Sequence, residues 1–565
     1  MNRIVVIGGA AAGAKAAARA KRLDESAQVT IIQKDPDLSM ATCGYPYYVG
    51  GFFDNRAALI SAPTGVVRDA DYFRACKGVE ALVSTEALSI DSAKKQVRCR
   101  NLVTGTEQDI PYDRLILAMG ANANIPPIPG RDAKGITTLT NMADTDYLRR
   151  IRDEKKVDRV VVLGGGLIGV EVAEALQHSG IQVTLMAALD QILPFLDRQL
   201  AKLVEQHMQA QGVEVICKVG VQEFLTENGA VSGVRLQDGR EIACGAAVLA
   251  MGVRPNTALA KNAGLELGEF GGIRVNEFMQ SSQPDIYAAG DCVEIPSLLT
   301  GKPVFAPMGD LANLQGRVAG ENAAKGNCAT FSGTTHSGIC KVFQFQAGST
   351  GLSEKMAAKA GIKGFTTVIN ASPDKPGFMG AKPLISKMLV DADQRLIGYQ
   401  CVGPGDVSRQ IATAAMAIQG KLKIADLVNS DLPYAPPFSL AIDHFIAAAH
   451  IMQNKLAGLF TGISAQEVWE MVQGEQQGEK PLLLDGRSKQ EYEEMRLSLG
   501  EKLLPIGELR DRLSELPQNK DAAIVCFCKV SMRGYEAARI LTANGYTNVR
   551  VMEGGIMAWP YACEK

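Results

Sequence analysis

Several things are scarce in this chain, and each scarcity excludes a class of function. Five histidines are spread over 565 residues and offer no cluster. Twelve cysteines are scattered, and Cys526 and Cys528 form a C-x-C with no partner cysteines or histidines nearby, so no metal site is expected. No uninterrupted apolar run reaches the roughly 20 residues that a bilayer span requires, so no membrane partner is expected. The formal net charge is −2, which leaves no electrostatic footprint for nucleic acid. The first strand, "RIVVIGG", has no signal-type apolar segment ahead of it, which predicts a cytoplasmic protein whose cysteines are mostly free thiols. After Cys43 there is also no nearby second cysteine. A C-x-x-C would need one at Pro46 and a C-x-x-x-x-C one at Tyr48, so a short-range redox disulfide is excluded.

What the chain does have is two glycine-rich turns. "IVVIGGAAAGAKAAARA" is a β-branched strand, a turn and an alanine-rich helix, with Gly8, Ala10 and Gly13 in a G-x-A-x-x-G pattern. The first glycine suits a tight turn, the middle small residue admits a pyrophosphate, and the last lets helix pack on strand. Gln33 and then Lys34 stand where an acid for a ribose hydroxyl is expected, and Gln33 can still hydrogen-bond a hydroxyl. "RVVVLGGGLIGVEVAEAL" repeats the design with Gly164, Gly166 and Gly169, and Glu171 follows in its helix. Ala187 takes the acidic position there and no arginine replaces it, so these residues do not read out a preference between NADH and NADPH; NADH is kept as the working expectation. Further on, "PDIYAAGDC" ends a strand at Gly290-Asp291.

In this order the motifs resemble the pyridine nucleotide–disulfide oxidoreductases over roughly residues 1–445. The resemblance implies FAD on the first turn, NAD(P)H on the second, and the flavin ribitol on Asp291. The stretch "SMATCGYPYYVGG" looks like the active-site segment of the coenzyme A–disulfide reductases and their NADH oxidase and peroxidase relatives. Met40 and Thr42 stand where Phe and Asn are common. In that group the cysteine, here Cys43, is the single redox centre with coenzyme A against it, and Ser39 and Thr42 flank the same site. "YAPPFS" resembles the tyrosine motif that one subunit offers to the other's active site, which implies a homodimer using Tyr434. A second tyrosine expected near 377–381 is missing, because that stretch reads "GFMGA". Lys15, Arg19 and Arg22 share one face of the first helix by their spacing. They form either a solvated basic stripe or, as in the family, a cradle for coenzyme A phosphates.

The last hundred residues bring a second cysteine chemistry. An apolar strand over 522–527 ends at Cys528, and a short loop leads to a helix near Gly534. Backbone N–H groups and a helix start converging on a thiolate would lower its pKa and hold an anionic persulfide. The order "LLDGRS…C-x-x-x-x-R…GGIMAW" resembles the rhodanese homology domain, with Cys528 opening the loop and Arg533 closing it. Ser531 takes the position usually held by glycine. It is either a small natural variant or the replacement of a cysteine, so position 531 stays the alternative sulfur carrier.

The predicted architecture is α/β. Residues 1–112 and 255–325 form an FAD-binding Rossmann-like domain and 113–254 an NAD(P)H-binding one. Residues 326–445 form an α+β dimerisation domain, 446–465 a linker and 466–565 a rhodanese-like domain. The reading that follows is an FAD-dependent NAD(P)H oxidoreductase acting through Cys43. Its substrates would be coenzyme A or other small-thiol persulfides, polysulfide or coenzyme A disulfide. Two alternatives stay open: an NADH oxidase or peroxidase cycling through a sulfenic acid, and a sulfurtransferase with a redox-sensing flavoprotein partner domain.

Overall fold

The computed structural model describes residues 2–474 and 480–564. It divides into two compact units, Met1–Ala188 with Lys218–Thr334, and Leu189–Cys217 with Thr335–Lys565.

The first unit holds two parallel sheets built alike. One runs Ile286–Ala288, Arg114–Leu117, Arg3–Ile7, Gln28–Ile32 and Glu80–Leu82. The other places Ile136–Thr137, Ala246–Leu249, Arg159–Leu163 and Gln182–Ala187 side by side. Strands covered on both faces read as continuous apolar runs. Ile4, Val6, Ile31, Leu115, Leu117, Val161 and Leu185 are accordingly shut off from water, each worth about 1.5–3 kcal/mol of burial. The strand Arg114–Leu117 sits in the first sheet, although the expected domain boundary lies just before it at 112.

In both sheets the central strand turns into its helix through a left-handed glycine, Gly8 at φ 100° and Gly164 at φ 120°. A Cβ on Gly13 would lie 1.8 Å from the Gly8 carbonyl oxygen, and one on Gly169 equally 1.8 Å from that of Gly164. The third glycine of each turn is therefore required by the closeness of helix to strand. The first helix, Ala11–Leu23, also meets the helix Gly309–Lys325 at backbone distance. A Cβ on Gly316 or Gly320 would come 2.3 Å from the carbonyl oxygens of Ala12 and Ala16 respectively.

The second unit opens on an antiparallel sheet ordered Gly338–Val342, Phe345–Gly351, Leu396–Gly403, Pro383–Val390 and Thr366–Pro373. The helices Val407–Gln419 and His444–Leu456 pack on it. A parallel sheet closes the chain: Thr461–Ile463, Val549–Met552, Ile524–Phe527, Leu482–Asp485 and Lys502–Leu503. The expected linker 446–465 is not an extended connector. Its residues form most of the helix His444–Leu456 and the edge strand Thr461–Ile463 of the closing sheet. The apolar spacing of Phe445, Ile446, Ala448, Ala449 and Met452 buries that helix.

Candidate active sites: two thiols and two glycine turns

In the first unit Cys43 lies in a single 3₁₀ turn, Thr42–Gly44, that runs straight into the short helix Tyr45–Val49. The residue is exposed. Enough protein surrounds it that desolvation raises its thiol, with the carboxyls of Glu171 and then Asp291 adding to the rise. A backbone hydrogen bond and the Thr42 hydroxyl pull the other way. A Cβ built on Gly309 would be 3.5 Å from the Cys43 Sγ. Gly309 is the first residue of a 17-residue helix, and its N-cap Met308 offers no side-chain acceptor. The start of that helix therefore lies close to the sulfur, where a helix's positive end works against part of the rise.

Glu171 and Asp291 complete this surrounding. Burial pushes Glu171 up to about 7, against a hydrogen bond from the Tyr47 hydroxyl at 3.2 Å. Burial alone pushes Asp291 up to about 6. Glu171 can therefore hold or release a proton near neutrality, while Asp291 does so at somewhat lower pH. Sequence reasoning missed Tyr47, four residues after Cys43. Its signal was weak, because a tyrosine in an aromatic-rich helix reads as core.

The glycine turns leave their helix N-termini open. The helix Ala11–Leu23 starts at Ala10 and Leu167–His178 at Gly166, and neither has a side-chain cap. By contrast Asp69 and Asn141 cap the helices that follow them. A Cβ on Gly166 would meet nothing within 4 Å. Uncapped N–H groups and a positive helix end fit a pyrophosphate at each turn, and the second adds open space at Gly166. Gln33 is turned inward instead of toward a ribose. It is buried, its Oε1 accepts the Gly9 N–H at 2.7 Å, and its Nε2 reaches Asp35 at 3.3 Å. Lys34 pairs with Glu86 at 2.8 Å. Ser39 donates its backbone N–H to the Gly9 carbonyl at 2.8 Å, tying the first turn to the stretch that carries Cys43.

Of the basic stripe, Lys15 and Arg22 are exposed. Arg19 is taken by Glu321 at 2.6 Å, so the expected phosphate cradle keeps two of its three members free of that pairing.

In the second unit Tyr434 is half-exposed, and Phe378, Met416, Phe438 and Ile442 are also exposed large apolar residues there. Cys528 directly follows the strand Ile524–Phe527 and is fully buried. Arg533 forms a two-pronged pair with Glu491, Nη1 to Oε2 at 2.6 Å and Nη2 to Oε1 at 2.7 Å, which holds that carboxyl at about 2. Glu491 also closes the capping box with Ser488, so the helix Lys489–Glu494 fixes the loop's closing arginine. Beside them Asp485 and Arg487 form a buried pair at 2.7 Å. Ser531 sits at φ 75° as the N-cap of the helix Met532–Ala543. That left-handed backbone explains why glycine suits the position. Its hydroxyl bonds the Met552 carbonyl and leaves the N–H groups of the helix uncapped. Among the described residues no cluster able to hold a metal occurs, and no helix is long and apolar enough to cross a membrane.

Residues 2–307 match the family described as pyridine nucleotide-disulphide oxidoreductase, 338–445 its dimerisation domain and 464–561 the rhodanese-like domain. A structure titled as an NAD-dependent persulfide reductase from A. fulgidus aligns with TM-score 0.93 and 40% identity, covering 99% of this chain and 100% of that one. A protein of Pyrococcus horikoshii named NAD(P)H coenzyme A polysulfide/persulfide reductase is 32% identical over 80% of this chain and 98% of its own. A Methanocaldococcus jannaschii protein named NADH oxidase is 31% identical over 80% of this chain and 99% of its own.

Proposed function

Because the chain belongs to the pyridine nucleotide-disulphide oxidoreductase family, we propose that it is an FAD-dependent NAD(P)H oxidoreductase that reduces small-thiol persulfides, polysulfide or coenzyme A disulfide, with a rhodanese-like domain that carries sulfane sulfur. The observation that carries this reading is Cys43. It is an exposed thiol with no cysteine partner in the structure, at a helix start, beside Glu171 and Asp291.

The first glycine turn with Asp291 would hold FAD and the second, with Glu171, the nicotinamide cofactor. When bound, FAD supplies the passage of two electrons from the nicotinamide toward sulfur. The protein's own part starts with the Cys43 thiolate, which attacks the inner sulfur of R–S–SH. A Cys43–S–S–R disulfide forms, the S–SH bond breaks, and HS⁻ leaves with the bonding pair. Two electrons then cleave the new disulfide and return the Cys43 thiolate and RS⁻. Glu171, which accepts a hydrogen bond from Tyr47, would give a proton to the departing anion. Lys15 and Arg22 are the exposed cations for coenzyme A phosphates, and Tyr434 would reach a second copy's site in a homodimer. At Cys528 a thiolate would take the outer sulfur of a donor such as thiosulfate, forming a persulfide as sulfite leaves.

Steady-state assays of the FAD-loaded protein test this. NADH consumption should depend on coenzyme A persulfide or polysulfide, release sulfide, and vanish in Cys43→Ser with flavin retained. Equal turnover with oxygen or peroxide and none with persulfide would instead establish the NADH oxidase reading, which the Methanocaldococcus relative's name favours.

A further inference from the structure

Within the second unit the Cys528 loop rests on the turn Glu553–Ala558, and that turn rests on the antiparallel sheet. The Ile556 and Met557 N–H groups donate to the carbonyls of Cys528 and Lys529, each at 3.0 Å, and Ser531 Oγ bonds the Met552 carbonyl. Glu553 lies between these contacts, yet its side chain points away from the loop. It is 5% exposed. Its Oε2 accepts the Ile369 N–H at 2.9 Å and its Oε1 meets Lys455 Nζ at 2.6 Å. The same Lys455 donates to the Thr367 carbonyl at 2.7 Å. Ile369 and Thr367 belong to the edge strand Thr366–Pro373 of the antiparallel sheet, and Lys455 to the helix packed on it. A Cβ on Gly462 would fall 1.8 Å from Glu553 Oε1, so the chain leaves room for this pair and nothing larger. Farther along the turn, Gln199 Nε2 donates to the Ala558 carbonyl at 2.8 Å.

An ion pair with a buried carboxylate is a poor source of net stability, because desolvation offsets its attraction, but it fixes geometry where each partner also hydrogen-bonds the backbone. Here it fixes the turn that carries the Cys528 and Lys529 carbonyls. We propose that Glu553 and Lys455 are positioning residues for the Cys528 loop, so that the sulfur-carrying site is complete only with the 366–373 strand beneath it. This rests on the reading of Cys528 as the sulfur carrier. A shift of about 1 Å in the turn moves the loop with it, and misplacement of that size costs up to about a hundredfold in rate.

The test uses the full-length FAD-loaded protein and thiosulfate with cyanide as acceptor. Glu553→Gln and Lys455→Met should each lower kcat for sulfur transfer by about tenfold, with KM for thiosulfate within about twofold; Lys455→Arg, which keeps the pair, should return kcat to within about threefold. The rate of Cys528 alkylation, read by mass spectrometry, should change in the two charge-removing variants. NADH-dependent persulfide reduction through Cys43 should stay at the parent level, which shows the rest of the chain folded. If either single variant destabilises the domain, the double variant Glu553→Gln/Lys455→Met decides, since it removes the pair without leaving the buried carboxylate unpartnered. Parent kcat and parent alkylation in both variants, with Cys528→Ser inactive, overturn this proposal alone. An active Cys528→Ser overturns the carrier assignment and this proposal with it.

Discussion

Replacing Glu171 with glutamine should stabilise the first unit at pH 8 and leave its stability unchanged at pH 4. Burial pushes the carboxyl from its ordinary 4.5 up to about 7. The folded chain therefore holds this proton over a pH range in which the unfolded chain has released it. Stability falls as pH rises through that window and is lost in full above about 7. At about 1.36 kcal/mol per pKa unit the whole interval is worth about 3 kcal/mol, somewhat less where water reaches the group. Glutamine keeps the shape, can still accept from Tyr47, and does not titrate. The difference between variant and parent should grow from near zero at pH 4 to about 2–3 kcal/mol at pH 8. Urea titrations of the flavin-stripped protein, followed by hydrogen exchange in the strand Arg159–Leu163, read this directly. The same substitution removes a negative charge that raises the Cys43 thiol, so the alkylation profile of Cys43 should move to lower pH. A stability difference independent of pH, or a Cys43 profile that stays put or rises, would refute the account of this site.

Gly169→Ala should weaken NADH binding while flavin stays bound, because the new methyl would collide with the Gly164 carbonyl and cost about 1–3 kcal/mol; isothermal titration compares the affinities. Arg487→Ala leaves the Asp485 carboxylate buried and unpaired, which should destabilise the closing sheet by about 3–5 kcal/mol. Trp469 and Trp559 both lie in that domain and report its unfolding by fluorescence. In thiosulfate–cyanide assays Cys528→Ser should be inactive and Ser531→Cys no faster than the parent; an inert parent revived by Ser531→Cys would make 531 the carrier.

The glycine turns were legible because a turn of that tightness demands particular residues. The absent side chains at Gly8, Gly13, Gly164 and Gly169 are demanded by backbone contacts that any sequence with this pattern must make. The same holds for the strand–loop–helix around Cys528. Residue roles that depend on distant partners were not legible. Arg19 shares a helix face with Lys15 and Arg22, but its partner Glu321 lies some 300 residues on. Gln33 occupies the position of a ribose ligand and is diverted by the backbone of Gly9. Local spacing also could not show that Leu189–Cys217, read as part of the nicotinamide half, groups with the second unit. Asp197 is held there by Gln400 and Lys387, both distant in sequence.

The seam between Ala11–Leu23 and Gly309–Lys325 limits how this family member can drift. Ala12 and Ala16 present carbonyls where Gly316 and Gly320 present no side chain. One of these helices opens at the first glycine turn and the other begins against Cys43. A methyl added at either glycine would lever the second helix off the first and carry Gly309 away from the sulfur. Neutral change at 316 or 320 is thus closed off even though neither residue touches any reactant. A graft that exchanges one helix with a relative's must bring the other along.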